Sequence, residues 1–379
     1  MAAINNALII GGGIGGLVAA TSMRRAGIEV DLVEIKNDAA VYGVGIIQPN
    51  NTLRALDEIG LAQACVSAGA PFRGWQIRDP GDALLMTVDS PNTAAPAYPP
   101  INGITRPRLH DILMQAARAA GTRFQFGTHA TAIADNGEQV QVTFNTGERR
   151  AYDFLVGADG IHSSTRAWLF PEAPKPRFTG QAVWRYNLPR PRDMVWGEVH
   201  YNARSKLGLV PLGPELMYMF LVTHEPGNPR LPPDTLAAAM RERLKDYGPR
   251  IGRLRDLITD PNGVVYKPME SVLLPAPWYR GRCLIIGDAA HATTPHLAQG
   301  AAMAIEDAAL LGQMLGQSGA LPELLAGFMK RRAARAAYVV ETSDQLSRWE
   351  LEQWGGVVNP QARPGELMHE AGLALMASY

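Results

Sequence analysis

The sequence predicts an α/β fold with a mainly β second unit and C-terminal helices, and three observations support this prediction. A short apolar segment, residues 7–10, runs into a glycine-rich turn, helical spacing follows, and then comes the strand-like segment 29–34. Alternating residues from 178 to 223 indicate a group of strands flanked by proline-rich stretches. Helical spacing returns from residue 300 to 354. This order predicts a βαβ domain that is interrupted by a sheet and completed by long helices.

Composition and charge exclude several classes of protein. The chain has 379 residues with 36 Lys+Arg and 36 Asp+Glu, so its formal net charge is zero. A dedicated nucleic-acid binder carries a basic excess, and so does a protein that binds anionic membranes. No apolar run reaches the roughly 18 residues of a membrane span, and the two cysteines, Cys65 and Cys283, cannot form a disulfide framework. We therefore expect a cytoplasmic monomer or homodimer without nucleic-acid or membrane partners.

The remaining elements follow from local patterns. The spacing of apolar residues predicts helices that begin at capping residues or prolines, or end at glycines: 17–26, 50–59, 107–120 and 234–247, the last with Asp234 as its N-cap. Short alternating segments between turn residues predict strands: a β-meander over 123–152 and single strands at 154–156 and 283–286. We divide the chain into three parts, 1–175, 176–275 and 276–379.

The first turn carries the pattern of a phosphate-binding loop. Gly11, Gly13 and Gly16 satisfy G-x-G-x-x-G between a strand and a helix, a context in which the backbone can approach a pyrophosphate and the helix N-terminus offers free N–H groups. Glu34, at the end of the second strand, is placed to accept hydrogen bonds from ribose hydroxyls. A glycine-rich turn without a ligand is the alternative, but the strand, helix and acid in register favour a dinucleotide. The same loop and strand end add further expected contacts: Ile14, Gly15 and Lys36.

Two further turns indicate which dinucleotide the chain binds. Asp159 lies in Gly-Ala-Asp-Gly after the strand 154–156, and Asp288 follows the strand 283–286. With the glycine loop, and above all with GDAAHATTPHLAQGAAMAIEDA at 287–308, these motifs resemble the single-component (group A) FAD-dependent aromatic hydroxylases over nearly the whole chain. The resemblance implies a Rossmann-like FAD-binding domain of the GR2 type with a β-meander in 1–175 and 276–379, and a β-sheet substrate domain in 176–275.

The resemblance also implies roles for single residues. Asp288 matches the acid that binds the ribityl or pyrophosphate region of FAD, and Asp159 matches an acid that binds FAD indirectly. Arg106 matches an arginine near the flavin, with Arg108 as a rival for that role. Gly45 and Gln48 match the loop under the isoalloxazine. A helix N-terminus stabilises negative charge on a reduced flavin, so we expect further cofactor contacts from the loop and helix start after the third motif: Pro295, Gly300 and Ala301.

The chemistry implied by the resemblance is a monooxygenation in two halves. NADH or NADPH, bound transiently, reduces FAD, and reduced FAD reacts with O₂ to form a C4a-hydroperoxide that hydroxylates a small aromatic or N-heteroaromatic substrate. A flavin epoxidase, halogenase or other flavin oxidoreductase on this scaffold is an alternative, although the WxWxIP motif of halogenases is absent. An FAD-binding redox regulator and a plain NAD dehydrogenase are the rivals from other classes.

Substrate contacts are expected from the β block and from the loop beside the flavin. We take Arg185 or Lys206 as partners for a substrate carboxylate or oxyanion and Tyr201 as a group that orients a hydroxyl. Met219 and Pro295 are further wall residues, and His291 is a candidate base. For each of these residues the alternative is a packing or surface role.

Three other features have simpler interpretations. His291 and His296 could suggest a metal pair, but no third ligand stands at a suitable spacing, so we predict no metal site. Ser163 is interpreted as a helix cap rather than a nucleophile because the G-x-S-x-G elbow is absent. The basic run Lys330-Arg331-Arg332 with Arg335 is interpreted as a solvated helix face.

Overall fold

The computed structural model describes residues 4–38 and 43–379. Its first unit is built around a six-stranded sheet. The strands are β1 Asn6–Ile10, β2 Glu29–Glu34, β3 Gly45–Pro49, β4 Ala70–Phe72, β5 Gly74–Arg78, β6 Leu84–Asp89, β7 Ile101–Thr105, β8 Arg123–Phe126, β9 Ala130–Asp135, β10 Val140–Phe144, β11 Arg149–Tyr152, β12 Phe154–Gly157, β13 Arg177–Pro189, β14 Gly197–Tyr201, β15 Ser205–Pro211, β16 Leu216–His224, β17 Val265–Ser271, β18 Tyr279–Arg280 and β19 Cys283–Ile285. The helices are α1 Ile14–Arg25, α2 Asn50–Glu58, α3 Ala62–Ser67, α4 Arg106–Ala119, α5 Ser164–Leu169, α6 Leu236–Arg243, α7 Pro249–Asp256, α8 Asp288–His291, α9 Gly300–Leu315, α10 Leu321–Trp354 and α11 Pro364–Ala374.

The six-stranded sheet has the order β18-β19-β12-β1-β2-β8. Its neighbours from β19 to β8 are parallel, and only β18 is antiparallel. The strands β1, β12 and β19 are buried almost throughout, as parallel strands covered on both faces by helices must be. Parallel strands bring their carboxyl ends to one edge, so the three motifs that follow β1, β12 and β19 meet there. The α/β fold class and the βαβ opening are confirmed.

The predicted β-meander forms a separate antiparallel sheet of three strands, in the order β11-β10-β9. Its first predicted segment was assigned wrongly, because β8 pairs in parallel with β2 and extends the six-stranded sheet. A four-residue strand carries no local signal that chooses between an antiparallel and a parallel neighbour. A further small antiparallel sheet has the order β3-β7-β4.

The second unit is a seven-stranded sheet in the order β17-β13-β16-β15-β14-β5-β6. Side chains alternate across it. One face packs against α6 and α7 through a cluster that includes Trp184, Leu209 and Met219. The opposite face carries Tyr218 and Phe220. The predicted strands between 178 and 223 are confirmed, whereas the hairpin β5–β6, which joins the sheet from earlier in the chain, was not predicted.

The helical predictions hold with corrections at the ends. Helix α1 begins inside the glycine motif, and the predicted helix 234–247 is a 3₁₀ turn at Pro233–Thr235 followed by α6, with no side-chain cap from Asp234. The break predicted between two C-terminal helices separates α9 from α10. Helix α10 has 34 residues and reaches from the six-stranded sheet region to β13. Within residues 4–38 and 43–379, no helix combines the length and apolar character that crossing a bilayer requires.

Candidate flavin and substrate site

The glycine loop is shaped by two backbone contacts. Gly11 has a φ of +110°, and a Cβ atom there would lie 2.4 Å from the carbonyl oxygen of Ala158. A Cβ on Gly16 would lie 1.9 Å from the carbonyl oxygen of Gly11. Both positions therefore require glycine for the fold itself. At Gly13, by contrast, a Cβ would meet no atom of residues 4–38 and 43–379 within 4 Å. The open side of the turn is thus at Gly13, at the N-terminus of α1, where a pyrophosphate would be bound.

Glu34 lies against this turn. Its Oε2 accepts a hydrogen bond from the Gly12 N–H at 2.8 Å, and its Oε1 accepts one from the Lys36 N–H at 3.0 Å. The carboxylate is therefore held at the edge of the open side, as the ribose role requires. Sequence reasoning missed His110, a buried residue of α4 whose Nε2 lies 3.0 Å from the Gly12 carbonyl oxygen.

In the second motif, the Asp159 carboxylate holds its own turn in place. The Asp159 carboxylate accepts hydrogen bonds from the Ser163 hydroxyl at 2.6 Å and from the Thr165 N–H at 2.9 Å. Ser163 caps α5 by accepting from the Arg166 N–H, which confirms the capping prediction. Asp159 is thus occupied in holding its own turn, which fits an indirect role toward a cofactor. The Arg166 guanidinium donates to the Ala289 carbonyl at 2.8 Å and ties the second motif to the third.

The third motif, at Gly287, packs against the first motif, at Gly15, through the side chain of Ala304. A Cβ on Gly287, which has a φ of +60°, would lie 2.9 Å from the Ala304 side chain, and a Cβ on Gly15 would lie 3.3 Å from the same atom. Asp288 begins the short helix α8 and is exposed, and desolvation by the surrounding protein raises its pKa while the charges of His291 and Arg106 oppose that rise. The three motifs therefore converge, as the sequence analysis expected.

The start of α9 is held by amide side chains. Gln299, just before Gly300 and Ala301, exchanges two hydrogen bonds with Asn51 of α2, at 2.9 and 3.2 Å. Ala298 adopts a left-handed conformation, with a φ of 55°, and Pro295 opens a 3₁₀ turn before it. These contacts fix the N-terminus of α9 against α2, and Ala304 one turn further along α9 contacts Gly15 of the first turn.

At Gly45, strand β3 lies directly against the seven-stranded sheet of the second unit. A Cβ on Gly45 would lie 2.4 Å from the Tyr218 ring and 2.5 Å from a Leu212 methyl group. Tyr218, which the sequence analysis missed, therefore lies directly against the loop expected beneath the isoalloxazine. Gln48 from the same strand is buried, and its side chain accepts a hydrogen bond from Asn102 at 2.8 Å. Its side chain is thus turned toward β7.

The structure distinguishes the two candidate arginines by their surroundings. Arg106 is near enough to Asp288, Arg185 and Tyr218 to influence their pKa values. Both arginines are exposed, and the backbone N–H of Arg108 donates to the Thr105 side chain in an ordinary helix cap. The position of Arg106 therefore fits the flavin-side role better.

Arg185 occupies the flavin-side face of the seven-stranded sheet. It pairs in register with Phe220, between Tyr218 and the end of β16. Burial lowers the pKa of Arg185 to about 10, and burial raises the pKa of Tyr218 to about 12 although the charge of Arg185 opposes it. Among the residues that the structure describes, the Arg185 guanidinium has no hydrogen-bond acceptor, and no acidic partner within 4.0 Å. The Arg185 guanidinium is partly buried on the sheet face that carries Tyr218 and Phe220, and we call the space between this face and the Gly45 loop the recess. An unpaired cation there favours a ligand that brings a negative charge.

The other predicted substrate residues fall into different places. Met219 was predicted wrongly, since it is fully buried on the opposite face against α6 and α7. Tyr201 and Lys206 pair in register at the far end of the recess face, with the Tyr201 ring 37% exposed. Lys206 is already paired with Glu350, through a short contact. That pair leaves Arg185 as the free cation of the two predicted for a substrate anion.

His291 is engaged away from the recess. It is buried, its Nε2 lies 2.6 Å from Asp307 Oδ2, and Trp278 packs on its ring at 4.8 Å between centroids. The same Asp307 oxygen accepts a hydrogen bond from the Gly287 N–H at 3.0 Å. His291 therefore braces the third motif, and its contacts do not suit it to act as a base on substrate.

The predicted solvated face on α10 is wrong at Arg332 and Arg335, whose side chains are 0% and 11% exposed. Arg332 is fully buried and donates to Asp307 at 2.7 Å and to Glu306 at 2.6 Å. Arg335 also binds Glu306, at 2.7 Å. The partners lie on α9, so the run of basic residues gave no sign of them. Lys330 is exposed, as predicted.

Buried carboxylates should make the stability of the fold sensitive to acid. Burial disfavours the charged form of three of them, but neighbouring cations and donors outweigh burial and lower each pKa to about 2: Glu198, Asp307 and Glu350. Their ordinary values are 4.5 for Glu and 3.8 for Asp, so the unfolded chain takes up protons first as the pH falls. We expect the urea midpoint to fall steeply from about pH 4.5 toward pH 2. A midpoint that stays constant over this range would contradict these pKa shifts.

The parallel sheet, the open glycine turn and the acids Glu34 and Asp288 are together typical of an α/β flavoprotein. The chain belongs to the family described as FAD binding domain, whose model matches residues 5–343. It is 33% identical over 354 residues to 2-heptyl-3-hydroxy-4(1H)-quinolone synthase of Pseudomonas aeruginosa (strain UCBPP-PA14), covering 90% of each chain. It is 30% identical over 360 residues to 6-hydroxynicotinate 3-monooxygenase of Bordetella bronchiseptica, covering 88% of this chain and 89% of that protein.

Solved structures agree with this assignment at the level of the fold. Klebsiella pneumoniae HpxO, solved in complex with FAD and uric acid, superposes with a TM-score of 0.84 at 22% identity, covering 98% of this chain and 96% of that chain. The family and the relatives together establish that the protein is an FAD-dependent monooxygenase of the aromatic hydroxylase type. The resemblance found in the sequence is thereby confirmed.

Proposed function

We propose that the protein uses NADH or NADPH together with O₂ to hydroxylate a small N-heteroaromatic substrate that carries a negative charge. The observation that carries this proposal is the unpaired Arg185, which lies beside Tyr218 in the recess between the sheet and the flavin loop. A desolvated guanidinium without an acidic neighbour is stabilised when a ligand supplies the counter-charge. The names of the relatives support a heterocycle, since quinolone and hydroxynicotinate rings both contain nitrogen.

The residues present fit FAD. The turn at Gly13 has room for a pyrophosphate that a side chain would fill, and Glu34 stands at its edge. Asp288 is exposed and has no cation at salt-bridge distance among the described residues, so it suits hydroxyl groups of the ribityl chain. Tyr218 and Gly45 bound the place where the isoalloxazine would meet the substrate. These residues are our proposed cofactor contacts, together with the others expected from the sequence: Gly11, Ile14, Gly15, Gly16, Lys36, Arg106, Pro295, Gly300 and Ala301.

FAD bound at this site would supply the chemistry that activates O₂ and hydroxylates the ring. The chain itself must bind, orient and exclude water. Arg185 would hold the substrate anion and thereby fix which ring carbon faces the flavin. The Tyr218 phenol, kept protonated by burial, would donate a hydrogen bond to a ring substituent. The N-terminus of α9 would stabilise negative charge on the reduced cofactor.

The domain boundaries, the binding of the nicotinamide cofactor, the location in the cell and the oligomeric state are also part of this proposal. We assign residues 1–175 and 276–379 to FAD binding and 176–275, with the hairpin β5–β6, to substrate binding, because the sheets divide in that way. A single glycine motif in the sequence supports transient binding of the nicotinamide cofactor. We also propose a cytoplasmic monomer or homodimer.

The decisive test compares anionic and neutral ligands in wild type and an Arg185→Gln variant. Hydroxynicotinates, hydroxybenzoates, quinolones and purines are scored for stimulated NAD(P)H oxidation, with the product identified by mass spectrometry. A hydrogen bond to a charged group contributes about 1.5–3 kcal/mol, so kcat/KM for the anionic substrate should fall roughly 10- to 100-fold. Neutral analogues should be affected much less.

Arg192→Gln is the matched control, because Arg192 is exposed and lies near the end of the same strand. It should behave as wild type toward every ligand. Equal losses for charged and neutral ligands in Arg185→Gln would contradict the anion site. Oxidation of NAD(P)H that yields only hydrogen peroxide with every ligand would leave the proposed substrate class without support.

A further inference from the structure

A group of four polar residues joins three separate parts of the chain at the far end of the recess. Glu350, in the last turns of α10, accepts hydrogen bonds from His296 Nε2 at 3.0 Å and from Gln181 Nε2 at 2.9 Å, and it also pairs with Lys206. We call Gln181, Lys206, His296 and Glu350 the Glu350 cluster. Lys206 and Gln181 belong to the seven-stranded sheet, whereas His296 follows Pro295 in the loop beside the flavin site.

The cluster is well ordered by its own hydrogen bonds. His296 is buried, and its Nδ1 lies 2.8 Å from the Thr294 hydroxyl, so both ring nitrogens have partners. Burial and the charge of Lys206 lower the pKa of His296, whereas the carboxylate of Glu350 opposes that change. The neutral ring then donates from Nε2 to Glu350 and accepts from Thr294 at Nδ1. No member of the cluster is left as an unpaired charge.

The position of the cluster relative to Gly45 sets the extent of the recess. Tyr218, which contacts Gly45, and Val222, which pairs in register with Lys206, face the same side of β16. They are separated by four residues, or about 13 Å at roughly 3.3 Å per residue. Phe220 and its register partner Arg185 lie between them. The Gly45–Tyr218 contact and the Glu350 cluster therefore stand at opposite ends of the recess.

Side chains connect residues 293–299 to the sheet at the second end, and the nearest backbone hydrogen bond runs from the Val272 N–H, just after β17, to the Ala292 carbonyl at 3.0 Å. Among the residues that the structure describes, no backbone hydrogen bond joins residues 293–299 to the seven-stranded sheet. The hydrogen-bonded path runs from His296 through Glu350 to Lys206 and Gln181. Trp354, one turn beyond Glu350, packs on the same sheet face next to Val222. If the carboxylate is removed, the loop and the sheet lose this common partner.

We propose that Glu350 is a positioning residue that closes the far end of the recess, by holding the loop 293–299 against the sheet and so keeping water away from the flavin. Water exclusion matters because an oxygenating flavin that is open to solvent releases hydrogen peroxide in place of product. The inference rests on the proposed function for the location of the flavin and the substrate. It adds a residue of α10 that neither the motifs nor the sequence analysis identified.

The test measures solvent access to bound FAD directly. Holoenzyme is prepared for wild type, Glu350→Ala, Glu350→Gln and Lys206→Met, and quenching of flavin fluorescence by iodide is titrated in each. Glu350→Ala should show a severalfold larger quenching constant at full FAD occupancy. Glu350→Gln should lie between it and wild type, because glutamine keeps a hydrogen-bond acceptor for His296 or Lys206. Glu341→Ala is the matched control, since Glu341 is exposed on the same helix.

The outcomes separate this inference from the proposed function. Quenching requires only bound FAD, so it is independent of whether any ligand is hydroxylated. Unchanged quenching in both Glu350→Ala and Lys206→Met, with FAD retained, would overturn the closing role. If Glu350→Ala fails to fold, Glu350→Gln and Lys206→Met decide the question. When a substrate is known, the same variants should release a larger share of hydrogen peroxide per NAD(P)H, and the Glu341→Ala control should not.

Discussion

Replacing Arg332 with Met should lower the free energy of unfolding by about 3–5 kcal/mol, the usual cost of removing one partner from a buried ion pair. Arg332 is fully buried and is hydrogen-bonded to both Glu306 and Asp307. Methionine fills similar space but leaves two carboxylates in a desolvated position. Asp307 would still meet His291, and Glu306 would still meet Arg335, so part of the network survives. The measurement is the urea midpoint of wild type and variant at neutral pH.

The pH dependence of this loss identifies its cause. In the wild type, burial opposes ionisation of Glu306, but the charges of Arg332 and Arg335 lower its pKa. Without Arg332 the folded-state pKa values of Glu306 and Asp307 rise, so mild acid protonates them and relieves the unpaired charge. The difference between variant and wild type should therefore shrink as the pH falls toward 5. Lys330→Met is the control on the same helix, and a loss below about 1 kcal/mol for Arg332→Met would show that the network is no stronger than a surface pair.

The sequence revealed the flavin side of the site because each motif there is local. Gly11, Gly13 and Gly16 stand within six residues, and their spacing alone describes a turn that a pyrophosphate can approach. Asp159 and Asp288 each follow a buried strand directly. Parallel strands bring their carboxyl ends together, so three local patterns were enough to predict their convergence.

The substrate side could not be predicted in the same way, because its contacts are made between distant residues. Lys206 meets Glu350 across 144 positions of the chain. Tyr218 is a single aromatic residue in a strand, and only its contact with Gly45 shows that it faces the flavin loop. Met219, its neighbour, faces the other way, and alternation alone cannot tell which face is which. Arg332 was misjudged for the same reason, since its acidic partners lie on another helix.

Gly16→Ala should destabilise the folded chain, whereas Gly13→Ala should not, and both substitutions should abolish FAD binding. Gly16 allows no side chain, because its Cβ would lie 1.9 Å from the Gly11 carbonyl oxygen. Gly16→Ala must therefore displace the turn from α1, and we expect a lower urea midpoint as well as loss of FAD. At Gly13 the backbone has a φ of −76° and a ψ of −175°, which alanine adopts without strain, and a Cβ would meet no atom within 4 Å in the part of the chain that the structure describes.

Gly13→Ala should consequently leave the apoprotein as stable as wild type, or slightly more stable, since alanine reduces the entropy of the unfolded chain. Its methyl group would occupy the space that we assign to the pyrophosphate, so FAD should be lost on purification and should not return when FAD is added. Gly365→Ala, at a position on α11 where a Cβ also meets no protein atom, controls for the substitution itself. Full flavin content in Gly13→Ala would place the pyrophosphate elsewhere, because the open side of the turn would then be unoccupied in the holoenzyme.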